Sequence, residues 1–451
     1  MTFQPCSHMQ VSACLFMLTK GMTMKKYLIP SFALISIGFS PLSLATNGYQ
    51  LTGVGSYQES LAGAVTASPG SAMTAITNPA GMARIGKRAD FSLEMFMPDR
   101  FVDFSAQPGG ERSDSAATQY GIPALGWTAL MLENNNDVYF GGGMYGTSGM
   151  GADYGLTSIN GGMLFEGYSA IQFWQLAPTV AWNTDKLSLG VSLNIDYQSV
   201  ALKQAFYADG GSGEPAGPPM VNINLSRAAM TFGYGVSFGA LYDVNDQVTL
   251  GFSYKSKQNF PDMEYQLVQG DITGNAGFGV VTGCPAEVCP SGLYKLQLDF
   301  PAITALGLAY SPTDALTVSF DVKHIQWSDT LDKLTITGPN GMRLDLPAGW
   351  TDQTIIALGV QYSVNDRLRL RMGYNQADAP FGKEDVFNNL ILPATVEKHY
   401  AVGGDYRLNK FWELGFHYSR ATQNTLETTS PMPVSIGLHI DTVGINLGYR
   451  F

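Results

Sequence analysis

The sequence predicts an all-β fold: a transmembrane antiparallel β-barrel of about fourteen strands, with an N-terminal hatch plugging the lumen. Three observations support this prediction. Segments of about ten residues alternate apolar and polar side chains, short polar turns alternate with long connections, and about forty mostly small residues precede the first strand.

The N-terminus has the features of a leader. From Met24 the chain reads MKKYLIPSFALISIGFSPLSLA, which joins two lysines, an apolar stretch and a small-x-small sequence ending at Ala45. This order is typical of a secretory signal peptide. A transmembrane anchor is the alternative, but Pro30 and Pro41 interrupt an apolar stretch that is already short. We therefore assign residues 1–45 to the leader and expect translation to start at Met24.

Charge and cysteine content limit the partners that the mature chain could have. Removing the leader's three lysines from the 26 Lys+Arg leaves 23 against 37 Asp+Glu, a net charge of −14 that argues against nucleic acid. Cys284 and Cys289 lie in the turn-rich GCPAEVCPSG, and in an oxidising compartment their spacing favours a disulfide. Two cysteines without a nearby histidine supply only half of a tetrahedral site, so no metal and no cofactor are expected.

Alternation with period 2 recurs along the chain and predicts strands. Clear examples are LSLGVSLNIDYQ (187–198), VTLGFSYK (248–255), LTVSFDVK (316–323), RLRLRMGYN (367–375) and FWELGFHYS (411–419). One face of each segment is apolar, and the segments are long enough to cross a bilayer at a tilt. A soluble sandwich is the alternative, with a second sheet covering each apolar face. In lipid, only a closed barrel satisfies the backbone polar groups of a sheet.

Short turns and long connections fix the expected arrangement of these strands. Short polar turns lie at 133–137, 183–186, 243–247, 311–315, 363–367 and 407–410. Long connections lie at 147–169, 203–228, 258–293, 328–350 and 376–394. This pattern is typical of outer-membrane barrels, whose short turns face the periplasm. Six hairpins, a first strand near 89–105 and a last strand near 438–451 give fourteen strands, so 89–451 is assigned to the barrel.

Residues 46–88 form the predicted hatch. They are rich in Ala, Gly, Ser and Thr, and such small side chains permit close packing in a confined space. Asn78 is expected to cap a short helix that starts at Pro79, and Gly86 is expected to end it. Because this compact segment precedes the barrel, we expect it to plug the lumen.

The hatch sequence also carries a family resemblance. NGYQL (47–51), the small-residue stretch and the tripeptide Asn78-Pro79-Ala80 resemble the hatch of the FadL-type outer-membrane transporters (OMPP1/FadL/TodX-like) of long-chain fatty acids and other hydrophobic compounds. The resemblance covers the whole mature chain and includes Phe451, which is similar to the C-terminal assembly signal of bacterial outer-membrane barrels. It implies a non-enzymatic, monomeric protein of the bacterial outer membrane. Its implied partners are a fatty acid or hydrocarbon, outer-membrane lipid and the barrel assembly machinery.

The resemblance further implies a transport mechanism. Extracellular loops capture the substrate, a pocket beside the hatch receives it, and a kinked third strand releases it laterally into the membrane. The third strand is YFGGGMYGTSGMG (139–151). Its glycines permit a bend or bulge, and they are Gly141, Gly142, Gly143 and Gly146. The alternative is an ordinary barrel strand that happens to be rich in glycine.

Four residues are predicted to bind the ligand. Tyr49 aligns with the family's hatch aromatic near the ligand, and Lys333 and Lys203 resemble basic positions that would meet a carboxylate head group. Phe206 is a candidate groove residue on composition alone. For both lysines the alternative interpretation is a solvated loop side chain.

Inward-facing polar residues leave two rival functions to weigh. Ionic contacts between hatch and wall are the expected role of the inward charged residues, which are Arg367, Arg369, Arg371, Asp321, Lys323 and Glu413. His417 and Ser419 share an inward face, so an outer-membrane lipid hydrolase is one rival, although it would need a lipid-facing site and an acidic partner. A general diffusion porin is the other, and the predicted plug argues against it.

Overall fold

The structure is a computed structural model that describes residues 47–132, 135–273, 280–282, 284 and 289–451. The predicted leader, residues 1–45, lies outside the described residues. The strands are β1 (Arg88–Asp103), β2 (Arg112–Asp114), β3 (Tyr120–Leu132), β4 (Asn135–Ser158), β5 (Met163–Asn183), β6 (Leu187–Ala208), β7 (Val221–Asn245), β8 (Val248–Lys255), β9 (Met263–Leu267), β10 (Val280–Thr282), β11 (Gly292–Leu296), β12 (Ile303–Thr313), β13 (Leu316–Ile325), β14 (Lys333–Thr337), β15 (Arg343–Pro347), β16 (Gln353–Ser363), β17 (Leu368–Gln376), β18 (Lys398–Arg407), β19 (Trp412–Thr428) and β20 (Val434–Arg450).

Fourteen of these strands, all except β2, β9, β10, β11, β14 and β15, form a closed antiparallel barrel. β1 pairs with β20 on one side and with β3 on the other, so the first and last strands close the sheet. Closure leaves no barrel strand with a wholly free edge in lipid. The predicted fourteen-stranded barrel is confirmed.

The two faces of the wall differ as a lipid environment requires. Along β1, Phe91, Leu93 and Met95 are exposed on the outer face, whereas Asp90 and Glu94 are buried on the inner face. An apolar outer face and a polar inner face are the pattern of barrels whose outside meets acyl chains.

Four strands are longer than the sequence predicted. β4, β5, β6 and β7 contain 24, 21, 22 and 25 residues, about twice the length needed to cross a bilayer. Most of the predicted loop 147–169 is therefore strand, and so are both ends of the predicted loop 203–228. The prediction was wrong there because, beyond the lipid, no solvent difference imposes alternation on the side chains.

A separate outer sheet covers the end of the barrel at which β4, β5, β6 and β7 extend beyond the lipid. It has the strand order β10-β15-β14-β11-β9 and is built from the two connections that follow β8 and β13. Trp327 and Trp350 are fully buried beneath it, with ring centroids 5.0 Å apart. Cys284 and Cys289 form a disulfide in this region, with their Cα atoms 5.1 Å apart.

The hatch consists of short helices inside the lumen: α1 (Gly55–Ser60), α2 (Thr74–Thr77), a 3₁₀ turn (Pro79–Gly81) and α3 (Met82–Ile85). The Asn78 side chain accepts a hydrogen bond from Ala80 N, so the predicted cap is present. Gly86 follows α3 with φ of 71°, as the predicted helix end requires. Further short helices lie in the outer connections: α4 (Ser328–Leu331), Pro339–Gly341 and Lys383–Asn389. None of the helices in the described ranges is long and apolar enough to span a membrane.

Candidate functional site

The hatch is clamped to the wall by buried charged side chains. Asp321 on β13 accepts hydrogen bonds through Oδ2 from Val65 N (3.0 Å), Thr66 N (2.9 Å) and Thr66 Oγ1 (2.6 Å). Lys323, two residues along the same strand, donates to Gly63 O at 2.6 Å. Hydrogen bonds to ionised groups are about twice as strong as neutral ones, so these contacts hold the hatch firmly.

Inward glycines let the hatch backbone approach the wall closely. A Cβ added at any of them would lie less than 3.0 Å from a hatch atom, and we call the set the glycine collar: Gly126, Gly143, Gly190, Gly239, Gly251, Gly307, Gly359, Gly373 and Gly403. They lie on β3, β4, β6, β7, β8, β12, β16, β17 and β18. The hatch therefore touches most of the wall's circumference, which closes the axial route.

The tripeptide Asn78-Pro79-Ala80 lies against β6 and β7. Asn78 Nδ2 donates to Thr66 O within the hatch (2.7 Å) and more weakly to Ala240 O on β7 (3.4 Å). Pro79 and Ala80 pack on Gly190 of β6 and Gly239 of β7. This part of the hatch therefore faces the collar glycines of these two strands.

The third barrel strand, β4, is regular where its three consecutive glycines lie. Gly141, Gly142 and Gly143 pair with both β3 and β5 without interruption. Gly143 and Gly141 leave room for Ile76 and Met82 of the hatch. These glycines therefore permit hatch packing, and the predicted bend lies further along the strand.

The irregularity of β4 begins after Gly146. Pairing between β4 and β5 shifts register between Thr147 and Met150, where Gly149 has φ of +55°. This is the left-handed conformation that glycine adopts without strain. Sequence analysis missed Gly149, although the segment TSGMG carried a signal for a bulge.

The wall has a break beside this bulge. In the described ranges, the β3–β4 ladder ends at Ala124↔Tyr145, and β3 residues 120–123 pair only with β1. Beyond Tyr145, β4 pairs only with β5 until Ala116 N donates to Asp153 O at 2.8 Å. We call this interruption of strand pairing, between β3 residues 120–123 and β4 residues 146–152, the lateral break; the Tyr120 side chain lies against Gly151 within it.

Two internal cavities lie against hatch residues 50–52. The Glu94 cavity, of about 50 Å³, is lined by Tyr49, Glu59, Glu94 and Gly149 among others. The Lys255 cavity, of about 90 Å³, has a mixed lining. Its apolar side chains are Leu51, Val54, Ile76, Phe300, Ile303, Ala305, Ile325 and Ile355, and its polar ones include Asn47, Gln50, Thr52, Thr66, Thr77, Tyr145, Ser253, Lys255 and Lys323. Tyr145 and Gly149 belong to β4, so both cavities extend to the strand that borders the lateral break.

Lys255 is a buried basic residue that sequence analysis did not single out. Its Nζ donates to Gln175 Oε1 (2.8 Å) and lies 5.3 Å from the centroid of the Phe300 ring. In VTLGFSYK it shares the inward parity of Gly251 and Ser253, so the alternation already contained the signal. A charge that faces inward needs a partner or a function.

The predicted ligand residues fall in different places. Tyr49 is buried beside the cavities, 4.6 Å from the Trp327 ring centroid. Phe206 is buried among aromatic rings near the outer loops, and Lys203 pairs with Glu166. The structure thus brings Tyr49 to the cavities and leaves Phe206 and Lys203 on the outer side.

Lys333 lies on the outer sheet, in β14. Its side chain is 47% exposed, and Nζ is 3.6 Å from Asp345 Oδ2. A hydrogen bond from Thr335 lowers the pKa of Asp345, so the lysine faces an ionised carboxylate. Contact between Lys333 and a head group stays a prediction, to be tested at this outer surface.

Inward charges mainly bind one another. Arg371 pairs with Asp405, Arg369 pairs with Asp405 and Glu413, and Arg88 also pairs with Glu413. This network joins neighbouring strands, so the expected hatch contact holds for Asp321 and Lys323 but not for Glu413.

The Arg371 guanidinium does reach the hatch, 4.5 Å from the Tyr57 ring. The expected inward position of Arg367 is wrong because it lies exposed in the turn before β17.

His417 and Ser419 are buried between the wall and the hatch. His417 Nδ1 lies 3.0 Å from Ser56 Oγ, and Ser419 Oγ donates to Glu59 Oε2 at 3.5 Å. Neither side chain faces the lipid, where a membrane lipid hydrolase would meet its substrate. Their contacts are those of residues that seat α1.

A closed barrel with a clamped hatch and a broken wall defines a plugged outer-membrane transport protein. Residues 42–445 match the family of outer membrane protein transport proteins (OMPP1/FadL/TodX), and the chain belongs to this family. The protein is located in the outer membrane.

Similar proteins agree with this assignment. The 47 kDa outer membrane protein of Pasteurella multocida (strain Pm70) is 26% identical over 230 residues, 49% of this chain and 51% of that protein. Outer membrane protein P1 of Haemophilus influenzae is 26% identical over 243 residues, 50% of this chain and 48% of that protein. The chain thus spans about half the length of the curated relatives that it matches.

Solved structures share the fold at low sequence identity. The toluene transporter TodX of Pseudomonas putida has a TM-score of 0.68 and 20% identity, covering 89% of this chain and 99% of that one. A FadL homologue of Pseudomonas aeruginosa has a TM-score of 0.65 and 18% identity, covering 91% of this chain and 100% of that one. At these identities the likeness shows the fold alone.

Proposed function

We propose that the protein takes up long-chain fatty acids or other hydrophobic compounds and releases them laterally into the outer membrane. The lateral break between β3 and β4 is the observation that carries this proposal. It lies beside the internal cavities, in a barrel whose axis the hatch fills. Exposure of an alkyl chain to water costs about 0.8 kcal/mol of free energy per CH₂, and a sideways exit into lipid avoids that cost.

Capture begins at an apolar groove among the outer elements. It lies where the outer ends of β6 and β7 meet the outer sheet and the connection after β17, and its lining includes Leu202, Ile223, Leu334, Leu346, Ile391 and Leu392. Apolar grooves of this kind bind alkyl chains by removing them from water. Lys203, Phe206 and Lys333 lie on this outer side, where they would meet the substrate before it enters the barrel.

Transfer then proceeds to the Lys255 cavity, whose apolar side chains suit a hydrocarbon chain. Tyr49 packs between Phe300 and Trp327, beneath the outer sheet and beside the cavities. A movement of Tyr49 would therefore connect the groove with the cavities. Lys255 supplies a cation for a carboxylate head group within this cavity. We further propose that Phe451 takes part in recognition by the barrel assembly machinery and that the protein is a monomer.

The glycine collar supports transport of hydrophobic compounds over a general diffusion porin. A porin needs a continuous aqueous channel, whereas here the hatch contacts the wall on most strands. The lumen-facing positions of His417 and Ser419 likewise give no support to a lipid hydrolase.

Reconstitution in liposomes tests the proposal. Vesicles that contain the protein should take up a radiolabelled fatty acid or an alkane faster than empty vesicles, and small sugars should not swell them. Swelling by sugars without faster uptake of either hydrophobic compound would favour the porin.

A further inference from the structure

The Glu94 cavity is lined by buried polar side chains that each have an unpartnered atom, although Glu94 Oε2 lies 3.7 Å from His417 Nε2. Glu94, Tyr49 and His399 are 3%, 4% and 8% exposed. Among the described residues, no hydrogen-bond partner lies within reach of Glu94 Oε1, Tyr49 OH or His399 Nδ1. Buried polar side chains are nearly always hydrogen-bonded, so three unpartnered groups around one cavity point to a polar ligand group.

The charges around this cavity restrict the chemistry of that group. Glu59 and Glu94 place two carboxyl groups on the lining. Arg100 is also present, but it donates to Ala117 O at 3.1 Å and its guanidinium lies 5.9 Å from the Tyr120 ring. A carboxylate head group has no hydrogen to donate to Glu94 Oε1, and a pure hydrocarbon would leave all three polar atoms unpaired.

A hydroxyl group matches the unpartnered atoms on both counts, because it can donate one hydrogen bond and accept others. Glu94 Oε1 is an acceptor for its proton. Burial raises the pKa of the Tyr49 phenol, so Tyr49 remains a donor toward its oxygen. A cavity of about 50 Å³ has room for a small polar group.

We propose that the Glu94 cavity binds the hydroxyl end of an otherwise apolar molecule, such as a long-chain alcohol or an alkylated phenol. This inference rests on the proposed function and names a substrate class for it. Phe96 and Gly149 line the same cavity. Gly149 lies within the lateral break, and Phe96 on β1 pairs with Tyr120, the β3 residue at the edge of the break. The hydroxyl end is therefore held at the exit while the tail enters the membrane.

Binding measurements on the purified, detergent-solubilised protein test this assignment. The probes are dodecanol, dodecane, dodecanoate and dodecylamine, and quenching of tryptophan fluorescence reports their binding. Wild-type protein should bind dodecanol at least tenfold more tightly than dodecane. Glu94→Leu should reduce this ratio to about threefold or less, because the acceptor for the hydroxyl proton is gone.

Tyr49→Phe provides a second variant, since it removes only the phenolic oxygen, and it should lower the same ratio by a smaller factor. Asp441→Asn is the matched control and should leave the ratio unchanged, because Asp441 pairs with Arg420 on the opposite face of β20 from Ile440 and Thr442, which line the Glu94 cavity. Variants that keep the barrel's altered mobility in unheated SDS gels are folded and enter the comparison.

Three results would overturn the assignment. They are equal affinities for dodecanol and dodecane in the wild type, tighter binding of dodecylamine than of dodecanol, and an alcohol preference that persists in both variants. Failure of the proposed function is distinct, because wild-type protein in vesicles would then take up neither dodecane nor dodecanol.

Discussion

Replacing Asp321 with alanine should loosen the hatch without unfolding the barrel wall. Asp321 Oδ2 accepts three hydrogen bonds from Val65 and Thr66 at 2.6–3.0 Å, and the residue is fully buried. Each hydrogen bond to a charged group is worth about 1.5–3 kcal/mol, and the three are not additive because they share one carboxylate oxygen. We therefore expect a loss of about 4 kcal/mol in hatch docking, roughly a thousandfold shift toward undocked hatch.

Limited proteolysis and vesicle permeability measure this loss. Asp321→Ala should become cleavable within residues 47–87 and should let small sugars cross the membrane, while keeping the altered mobility of the unheated barrel. Asp321→Asn retains a side-chain oxygen as acceptor and should show a weaker effect. Asp114→Ala removes an exposed ion pair with Arg112 and serves as the control. A protease-resistant, sugar-tight Asp321→Ala protein would refute the clamp.

Further predictions concern the outer sheet and the collar. Lys333→Ala should weaken fatty acid binding about tenfold and leave alkane binding nearly unchanged, because a hydrogen bond to a charged group is worth about 1.5–3 kcal/mol; equal losses for both ligands would show that the lysine acts by packing or folding. Trp327→Ala should lower stability by about 3–5 kcal/mol, because the ring is fully buried and Nε1 donates to Gln353; thermal unfolding with an unchanged midpoint would contradict this. Gly239→Val should displace the hatch and admit small sugars into vesicles, and sugar-tight vesicles would count against the collar.

The membrane-spanning part of the barrel could be predicted because lipid imposes a simple rule on its side chains. β8 has the bounds Val248–Lys255 that alternation gave, since its outer residues meet acyl chains and its inner ones do not. The same rule fails for the outer half of β4, which reads GTSGMGADYG. There both faces meet protein or water, so no alternation marks the strand.

The missing pairing between β3 and β4 at the lateral break could not be predicted from the sequence. It depends on β3 residues 120–123 and on the bulge at Gly149, and each segment separately permits regular pairing. Three consecutive glycines were the stronger local signal, yet Gly141, Gly142 and Gly143 serve hatch packing and a regular ladder. A glycine's role depends on which segment approaches it, and the sequence does not state that.

The candidate site was predicted in part for a related reason. The hatch resemblance brought Tyr49 to attention, and the structure places it beside the internal cavities. The lysines were chosen by their distance along the chain from other features, which does not fix their distance in space. Parity within a strand is more informative, because the inward parity of Lys255 follows from β8 alone.

Uptake by a protein with a straightened β4 is the direct test of lateral release. Deleting Gly149 removes the single extra residue of the bulge, so residues after Thr147 can continue the β5 register and pair with β3 residues 120–123. The Gly149 deletion should leave an assembled barrel with its altered gel mobility. We expect that this barrel no longer takes up radiolabelled fatty acid or alkane into vesicles. Deleting Gly211 from the exposed β6–β7 connection is the matched control and should leave uptake intact. Wild-type uptake by an assembled protein whose β3–β4 ladder is shown to be continuous would contradict lateral release.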